Sequence, residues 1–222
     1  VMISYHNLPV MVVGAGGGYT YGDSGVTHHA KEDLGLMSLL PNMTVVAPGD
    51  PNEVEAIMPQ LLAQDGPSYF RIGRFGETAF ESDAPIIVGR ARRLRDGDQV
   101  AIITTGGQAV QALEAWDLLS ATSEAPQVVH MHTAKPLDTA ALDALPNNVH
   151  TILVVEEHGP TGGLAASVAE WSARRPTPIR VTRLGPDDGL VFGNPTQAEI
   201  RSRHGYDPES IAAACRDARI SS

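Results

Sequence analysis

Two adjacent histidines, His28 and His29, end a glycine-rich run in the segment Gly14 to Met37, GAGGGYTYGDSGVTHHAKEDLGLM. Glycine backbone lets a ligand approach closely, and an imidazole aimed from such a turn can give or take a proton near neutral pH. The same residues also suit a plainer role, in which both histidines occupy the first turn of a helix. Their types alone leave both roles open. His130 and His132 alternate on a predicted strand and share a face. A metal pair is one reading of them, and hydrogen-bonded interior imidazoles are the better one. Glu156, Glu157 and His158 close another predicted strand ahead of Gly159-Pro160-Thr161-Gly162-Gly163, at the strand end where α/β folds place their sites.

Generic motifs do not account for the glycine loop. After Gly14-Ala15-Gly16, Tyr19 stands where a dinucleotide fingerprint needs its third glycine, and no acidic residue closes a second strand to hold a ribose. Neither a Gly-Lys-Ser/Thr phosphate cradle nor a Gly-x-Ser-x-Gly nucleophile elbow occurs. Adjacent helical histidines point about a third of a turn apart, and no third ligand has suitable spacing, so no metal site is expected.

Composition narrows the class further. A formal charge of -10, from 26 acidic against 16 basic residues, argues against non-specific nucleic-acid binding, which needs a basic surface. Cys215 is the single cysteine and cannot form an internal disulfide, so a cytoplasmic location and an ordinary helix role are expected. No stretch approaches the apolar length of a membrane span, and no signal pattern opens the chain, so no membrane partner is expected. Val1 leads directly into strand-like ISYHNLPVMVV, and further residues are expected to precede it.

The elements that must position these residues follow from pattern. Leu8 to Val13 reads as a buried strand ended by Gly14 to Gly18, and the next helix is capped by Thr27, with Ala30, Leu34 and Met37 on one face and Pro41 closing it. Met43 to Ala47 is a strand. Asp50 is the N-cap of a helix with Pro51 at its first position, Glu53 completing a capping box and Val54, Ile57, Met58 and Leu61 turned inward. Ser68 to Ile72 returns as a strand. A domain boundary is expected near residues 78 to 86, with Arg90 to Arg95 alternating like an edge strand.

A second series follows: strand Val100 to Thr104, turn Gly106-Gly107, helix Gln108 to Leu119, strand Gln127 to Met131, helix Thr139 to Leu145 and strand Thr151 to Val155. A helix from Leu164 to Ser172, a strand from Ile179 to Leu184 and a helix opened by Asp207-Pro208-Glu209 complete it. Asp187-Asp188 and Arg201 to Arg203 read as solvated charge. The fold class is α/β, with two domains built on parallel or mixed sheets.

Several runs together resemble the transketolase family. They are His6-Asn7-Leu8-Pro9-Val10, Gly16-Gly17-Gly18, Gly25-Val26-Thr27-His28-His29 and Leu39-Leu40-Pro41-Asn42-Met43-Thr44-Val45-Val46-Ala47-Pro48-Gly49-Asp50. Asp65-Gly66-Pro67-Ser68 leading to Arg71 and Arg74, and Val154-Val155-Glu156-Glu157-His158 with Gly162-Gly163, extend the likeness over nearly the whole chain. The chain is similar, less closely, to 1-deoxyxylulose-5-phosphate synthase. The resemblance implies the later half of a pyrimidine-binding domain at residues 1 to 80 and a C-terminal domain at residues 86 to 222.

It also implies thiamine diphosphate as cofactor, with Mg2+ or Ca2+, at an interface between subunits. The glutamate that activates the cofactor and the aromatic residues that stack on it belong upstream of Val1, and the diphosphate-binding domain is absent. The cofactor-binding residues are therefore expected outside these 222 residues, mainly on an N-terminal partner subunit in a dimer of heterodimers. The alternative is a pyrimidine-binding domain completed by another polypeptide. His28 stands at the family's histidine that contacts donor oxygens, the one catalytic residue implied here. Arg74 stands at an arginine that binds a sugar-phosphate tail. Arg71, three residues earlier on an alternating strand, faces away from it.

Ser24 replaces the family's usual aspartate four residues before His28, with Asp23 beside it, and Val26 replaces a proline, so substrate preference is expected to differ. The family's Glu156 to His158 motif implies a part in the subunit interface. The implied activity is that of the C-terminal subunit of a transketolase, moving a two-carbon ketol unit from a phosphorylated ketose to an aldehyde. Alternatives are a deoxyxylulose-phosphate-synthase-like or 2-oxoacid-decarboxylating enzyme, and a non-catalytic scaffold or regulatory subunit.

Overall fold

Residues 1–74 and 77–220 are described by the structure, a computed structural model. The first elements are α1 (Met2–Tyr5), β1 (Met11–Ala15), α2 (Asp33–Ser38), β2 (Thr44–Val46), α3 (Pro51–Leu62), β3 (Ser68–Ile72), β4 (Arg92–Arg95), β5 (Val100–Thr104) and α4 (Gln108–Ser120). They are followed by β6 (Gln127–His130), β7 (Thr133–Lys135), α5 (Thr139–Asp143), β8 (Thr151–Val155), α6 (Leu164–Ala173), β9 (Arg180–Leu184), α7 (Gln197–Arg203) and α8 (Pro208–Ile220). Among them no helix is long and apolar enough to cross a membrane.

Two mixed sheets result. The first has the order β1-β3-β2-β7, parallel except for β7; the second has the order β4-β6-β5-β8-β9, parallel except for the edge strand β4. Central strands are apolar on both faces because helices cover both. Val100 and Ile102 join the core under α4 and α8, whereas their neighbours Ala101 and Ile103 join the core under α5 and α6. The period of two recurs in the first sheet, where Val45 and Tyr69 face α2 while Val46 and Phe70 face α3.

Several local expectations are corrected. The opening residues form the helical turn α1 rather than a strand, with the Ser4 hydroxyl donating to Pro41 O and Asn42 Nδ2 to Ser4 O at 3.2 Å. Thr27 does not open a helix. Val26–His28 is a single 3-10 turn, His29 is extended, and an antiparallel bridge between Gly18 and Ala30 delays α2 to Asp33. Met58 is 37% exposed, because the inward stripe of α3 runs through Glu53, Ile57 and Leu61. Asp50 does cap α3, accepting Glu53 N at 2.8 Å, but Glu53 does not return the bond: its Oε2 accepts Gly49 N at 2.7 Å. Two elements lacked a pattern long enough to announce them: β7, and α7 with its Thr196/Glu199 capping box.

Glu53 has a larger task. It is fully buried between the two sheets, with Oε1 2.6 Å from Arg92 Nη1 and Oε2 2.9 Å from His130 Nε2; His130 Nδ1 in turn lies 2.9 Å from Thr104 Oγ1. The backbone bonds Ala47 N to His132 O (2.7 Å) and Gly106 N to Ala47 O (3.0 Å) run beside this network. Burial alone would raise the Glu53 carboxyl, but His130 and the Gly49 N–H hold it down at about 2. Its stabilisation is therefore complete above the ordinary 4.5 and is lost as pH falls toward 2.

His132, also buried, has its pKa lowered from 6.5 to about 4, first by burial and then by His130 and Arg92 against the pull of Glu53. An unfolded chain protonates this imidazole before the folded one does, so stability falls as pH drops from 6.5 to 4. Urea unfolding at pH 7 and pH 4.5 is expected to show this loss, amounting to about 3 kcal/mol from His132. His132→Gln is expected to flatten the slope in that window, and an unchanged slope would exclude His132 as its source.

Candidate functional site

The glycine run works as a hinge between β1 and a closed loop. Gly16 and Gly17 N–H groups donate to Ile72 O at 2.9 and 3.3 Å, and the Gly18–Ala30 pairing (2.8 and 2.9 Å) ties the loop at its base. Gly18 has φ +65°, and a Cβ there would stand 2.4 Å from Glu157 Oε2, so only glycine fits. Inside the loop, two 3-10 turns, Gly22–Ser24 and Val26–His28, present Asp23, Ser24, Thr27 and His28 to solvent.

The two histidines take separate roles. His29 packs edge-on to buried Tyr19 at 4.8 Å and bonds Gly22 O at 3.2 Å, holding the loop from within. His28 is exposed, with Nδ1 3.1 Å from Thr27 Oγ1, which leaves Nε2 facing out. The hydroxyl can donate or accept, so His28 can present Nε2 as donor or acceptor. Its ring lies 6.4 Å from Tyr21, and the Arg74 guanidinium stands 5.5 Å from the same Tyr21 ring. Tyr21 thus brings His28 and Arg74 to one wall. Asp23 and Ser24 occupy the neighbouring turn, 3.5 Å apart, with no contact linking them to His28.

Arg71 points elsewhere. It is buried, with Nε 3.4 Å from an Asp33 carboxylate oxygen and Nη2 donating to Ala30 O (3.3 Å) and Glu157 O (3.0 Å). Glu157 is the residue that pattern alone undervalued. Its Oε2 accepts Tyr19 N at 3.0 Å and Gln197 Nε2 at 2.9 Å, while Oε1 takes Arg201 Nε at 3.2 Å. Arg201 is accordingly not solvated charge: α7 turns it inward, and Ile200 joins Tyr19 and Val191 in a small core under the loop. Asp187 also takes part, its carbonyl accepting Lys31 Nζ at 2.9 Å. The signal for this set was the Glu156-Glu157-His158 cluster at the end of β8.

The other two members of that cluster are also spent inside the chain. Glu156, its carboxyl raised by burial, accepts Leu164 N (2.7 Å) and Ala165 N (3.2 Å) at the start of α6. His158 accepts Gly35 N through Nε2 at 3.0 Å and donates from Nδ1 to Gly159 O at 2.9 Å. Among the described residues, no group of three His, Cys, Asp or Glu side chains could hold a metal ion.

A glycine loop on a mixed sheet covered by helices on both faces, followed by a second α/β unit that buttresses it, places the chain in a known class. Residues 1–75 match the transketolase pyrimidine binding domain and residues 89–211 the transketolase C-terminal domain. The chain belongs to the transketolase family. It is 32% identical over 213 residues to an apulose-4-phosphate transketolase subunit of Phocaeicola vulgatus, covering 95% of this chain and 67% of that protein. It is 34% identical over 218 residues to the 6-deoxy-6-sulfo-D-fructose transketolase subunit of a Clostridium species, covering 97% and 66%.

A solved split-gene transketolase, described as an inactive beta4 tetramer, superposes with a TM-score of 0.86 at 34% identity, covering 97% of this chain and 69% of that one. The chain thus spans about two thirds of the subunits it resembles. It spans 34% of the 1-deoxy-D-xylulose-5-phosphate synthase of an Azoarcus species, to which it is 33% identical.

The clamp on the loop is open to test. Glu157→Gln keeps the shape of the side chain and removes the charge opposite Arg201, and a loss of roughly 3 kcal/mol in urea unfolding is expected, as for a broken buried ion pair. Hydrogen exchange should rise at Tyr19 and through the loop to Ala30. Unchanged protection at Tyr19 would show that Glu157 does not hold it.

Proposed function

We propose that this chain is the C-terminal subunit of a thiamine-diphosphate-dependent transketolase, moving a two-carbon ketol unit from a phosphorylated ketose to an aldehyde. The observation that carries this reading is the solvent-facing wall of His28, Tyr21 and Arg74, held on a loop that the rest of the chain clamps. Residues 1–80 act as part of the pyrimidine-binding domain and residues 86–222 as the C-terminal domain.

The residues of this chain do not by themselves fit a complete thiamine diphosphate site, since none of the described clusters could hold its cation. The cofactor, with Mg2+ or Ca2+, is held mainly by an N-terminal partner subunit, and two such pairs form a dimer of heterodimers in the cytoplasm. The first sheet supports a protein partner: β1 forms its open edge, and Val10 and Val13 beside that edge are exposed. The Glu156 to His158 segment serves such an interface only from within, its buried side chains holding Tyr19, Gly35 and the start of α6 in place.

Within such a complex, His28 Nε2 donates to the donor's hydroxyl or carbonyl oxygen, where negative charge develops. Arg74 meets the phosphate with a guanidinium fork. Ser24 and Asp23 face the acceptor, and a serine hydroxyl in place of a carboxylate changes which hydroxyl stereochemistry is preferred.

Reconstitution with the partner subunit tests the proposal. His28→Ala is expected to lower turnover by roughly 10²-fold, with little change in cofactor affinity. Arg74→Ala is expected to raise KM about tenfold for a phosphorylated donor and to spare an unphosphorylated one. Unchanged turnover in His28→Ala would remove that residue from the chemistry. Pyruvate consumption with release of carbon dioxide would assign the complex to the synthase-like class, and absence of cofactor-dependent activity at any subunit ratio would leave a scaffold.

A further inference from the structure

Tyr19 and Tyr21 stand two residues apart in the glycine loop and take opposite roles. Tyr19 is fully buried in the small core with Val191 and Ile200, gives its N–H to Glu157 and carries His29 against its ring. Tyr21 takes no part in that core. Its half-buried ring lies 6.4 Å from the His28 ring, at 68° to it, and 5.5 Å from the Arg74 guanidinium.

The backbone is shaped to admit this ring. Gly16 has φ +83°, and a Cβ there would stand 2.1 Å from Tyr21 Cε2 and 2.4 Å from Cδ2. Conformation and space both exclude any other residue. A glycine required by a side chain that the core does not use points to a use outside the core.

Arg74 supplies one such use. Arg71 is fixed by Asp33, Ala30 O and Glu157 O, whereas among the described residues the Arg74 guanidinium rests on the Tyr21 ring. A guanidinium over an aromatic face keeps its N–H donors in its own plane, free for an anion. Tyr21 therefore steadies Arg74 without occupying its hydrogen bonds.

The phenol hydroxyl supplies another, since it can both donate and accept. His28 and Arg74 border the same ring, so a donor that reaches from one to the other passes Tyr21. In a ketose phosphate the part that passes is a run of hydroxylated carbons. Arg74 also lines a cleft of ≈ 490 Å³ with Thr20, Gln111 and Gln197, which has room for a chain longer than two carbons.

On the reading of this chain as a transketolase subunit, we infer that Tyr21 is a specificity-determining residue of the donor site. Its ring face seats Arg74, and its phenol hydroxyl hydrogen-bonds the hydroxylated carbons between the ketol end of the donor and its phosphate.

Steady-state kinetics of the reconstituted complex test this, with the ketose phosphate that it turns over fastest and with hydroxypyruvate, a donor that has no such carbons. Tyr21→Phe keeps the ring and should leave Tm unchanged. It is expected to raise KM for the ketose phosphate about tenfold, the worth of one hydrogen bond, with kcat and both constants for hydroxypyruvate held within about twofold. Tyr21→Leu removes the seat as well, so adding Arg74→Ala to it should cost far less than Arg74→Ala costs alone.

An unchanged KM in Tyr21→Phe, an equal loss with hydroxypyruvate, or losses from Tyr21→Leu and Arg74→Ala that simply multiply would overturn the inference and leave the proposed reaction standing. Absence of ketol transfer from either donor, or an Arg74→Ala complex with unaltered KM for the ketose phosphate, would instead remove the reading on which it rests.

Discussion

The fold turns on one buried carboxylate. Glu53 sits at the start of α3 with no access to water, and a carboxylate in that position is tolerable only when every lone pair is met. Gly49 supplies a donor from the same turn, but Arg92 and His130 come from β4 and β6 of the other sheet. The two sheets therefore have one relative placement that satisfies the group, and the backbone bonds between Ala47, His132 and Gly106 follow from it. That placement points the ends of β3, β5 and β8 toward a common gap, which is why loops from both halves meet there.

Glu157 applies the same physics to the glycine loop. A loop with this much glycine has little rigidity of its own, and its shape is imposed by partners outside it: Tyr19 N on Glu157, Ala30 O on Arg71, Gly22 against Pro195 and Ile200. Side chains used in that clamp, Tyr19 and His29 among them, are withdrawn from solvent. Those left outside the clamp are His28, Tyr21 and Arg74, which gather on one wall of the loop.

Much of this was legible beforehand, and the misses share a cause. Strands such as Val100–Thr104 and Thr151–Val155, buried on both faces, announce themselves as apolar runs, and the Asp50-Pro51 start of α3 follows from local capping chemistry. The false helix start at Thr27, the wrong partner for Glu53 and the solvated reading of Arg201 all arose where a residue's partner lies far away in sequence. Gly18 and Ala30 override a local helix signal, and Arg201 finds Glu157 from another element. The strand β7 has only three residues and exists because β2 offers it an edge. The His28 to Arg74 wall was legible as two residues, while Tyr21, which joins them, carries no motif of its own.

β7 also bears on how the chain comes off the ribosome. Val45 pairs with Lys135, about ninety residues later, so the first sheet lacks its fourth strand until the first strands of the second unit have been made. Until then a nascent chain carries an open edge on β2 as well as on β1, and Lys135 has not yet reached the carbonyls of Ser38 and Leu40 that it later covers. The two sheets are thus neighbours in the finished molecule but a single unit in time, and a gene cut between them would not yield two independent pieces.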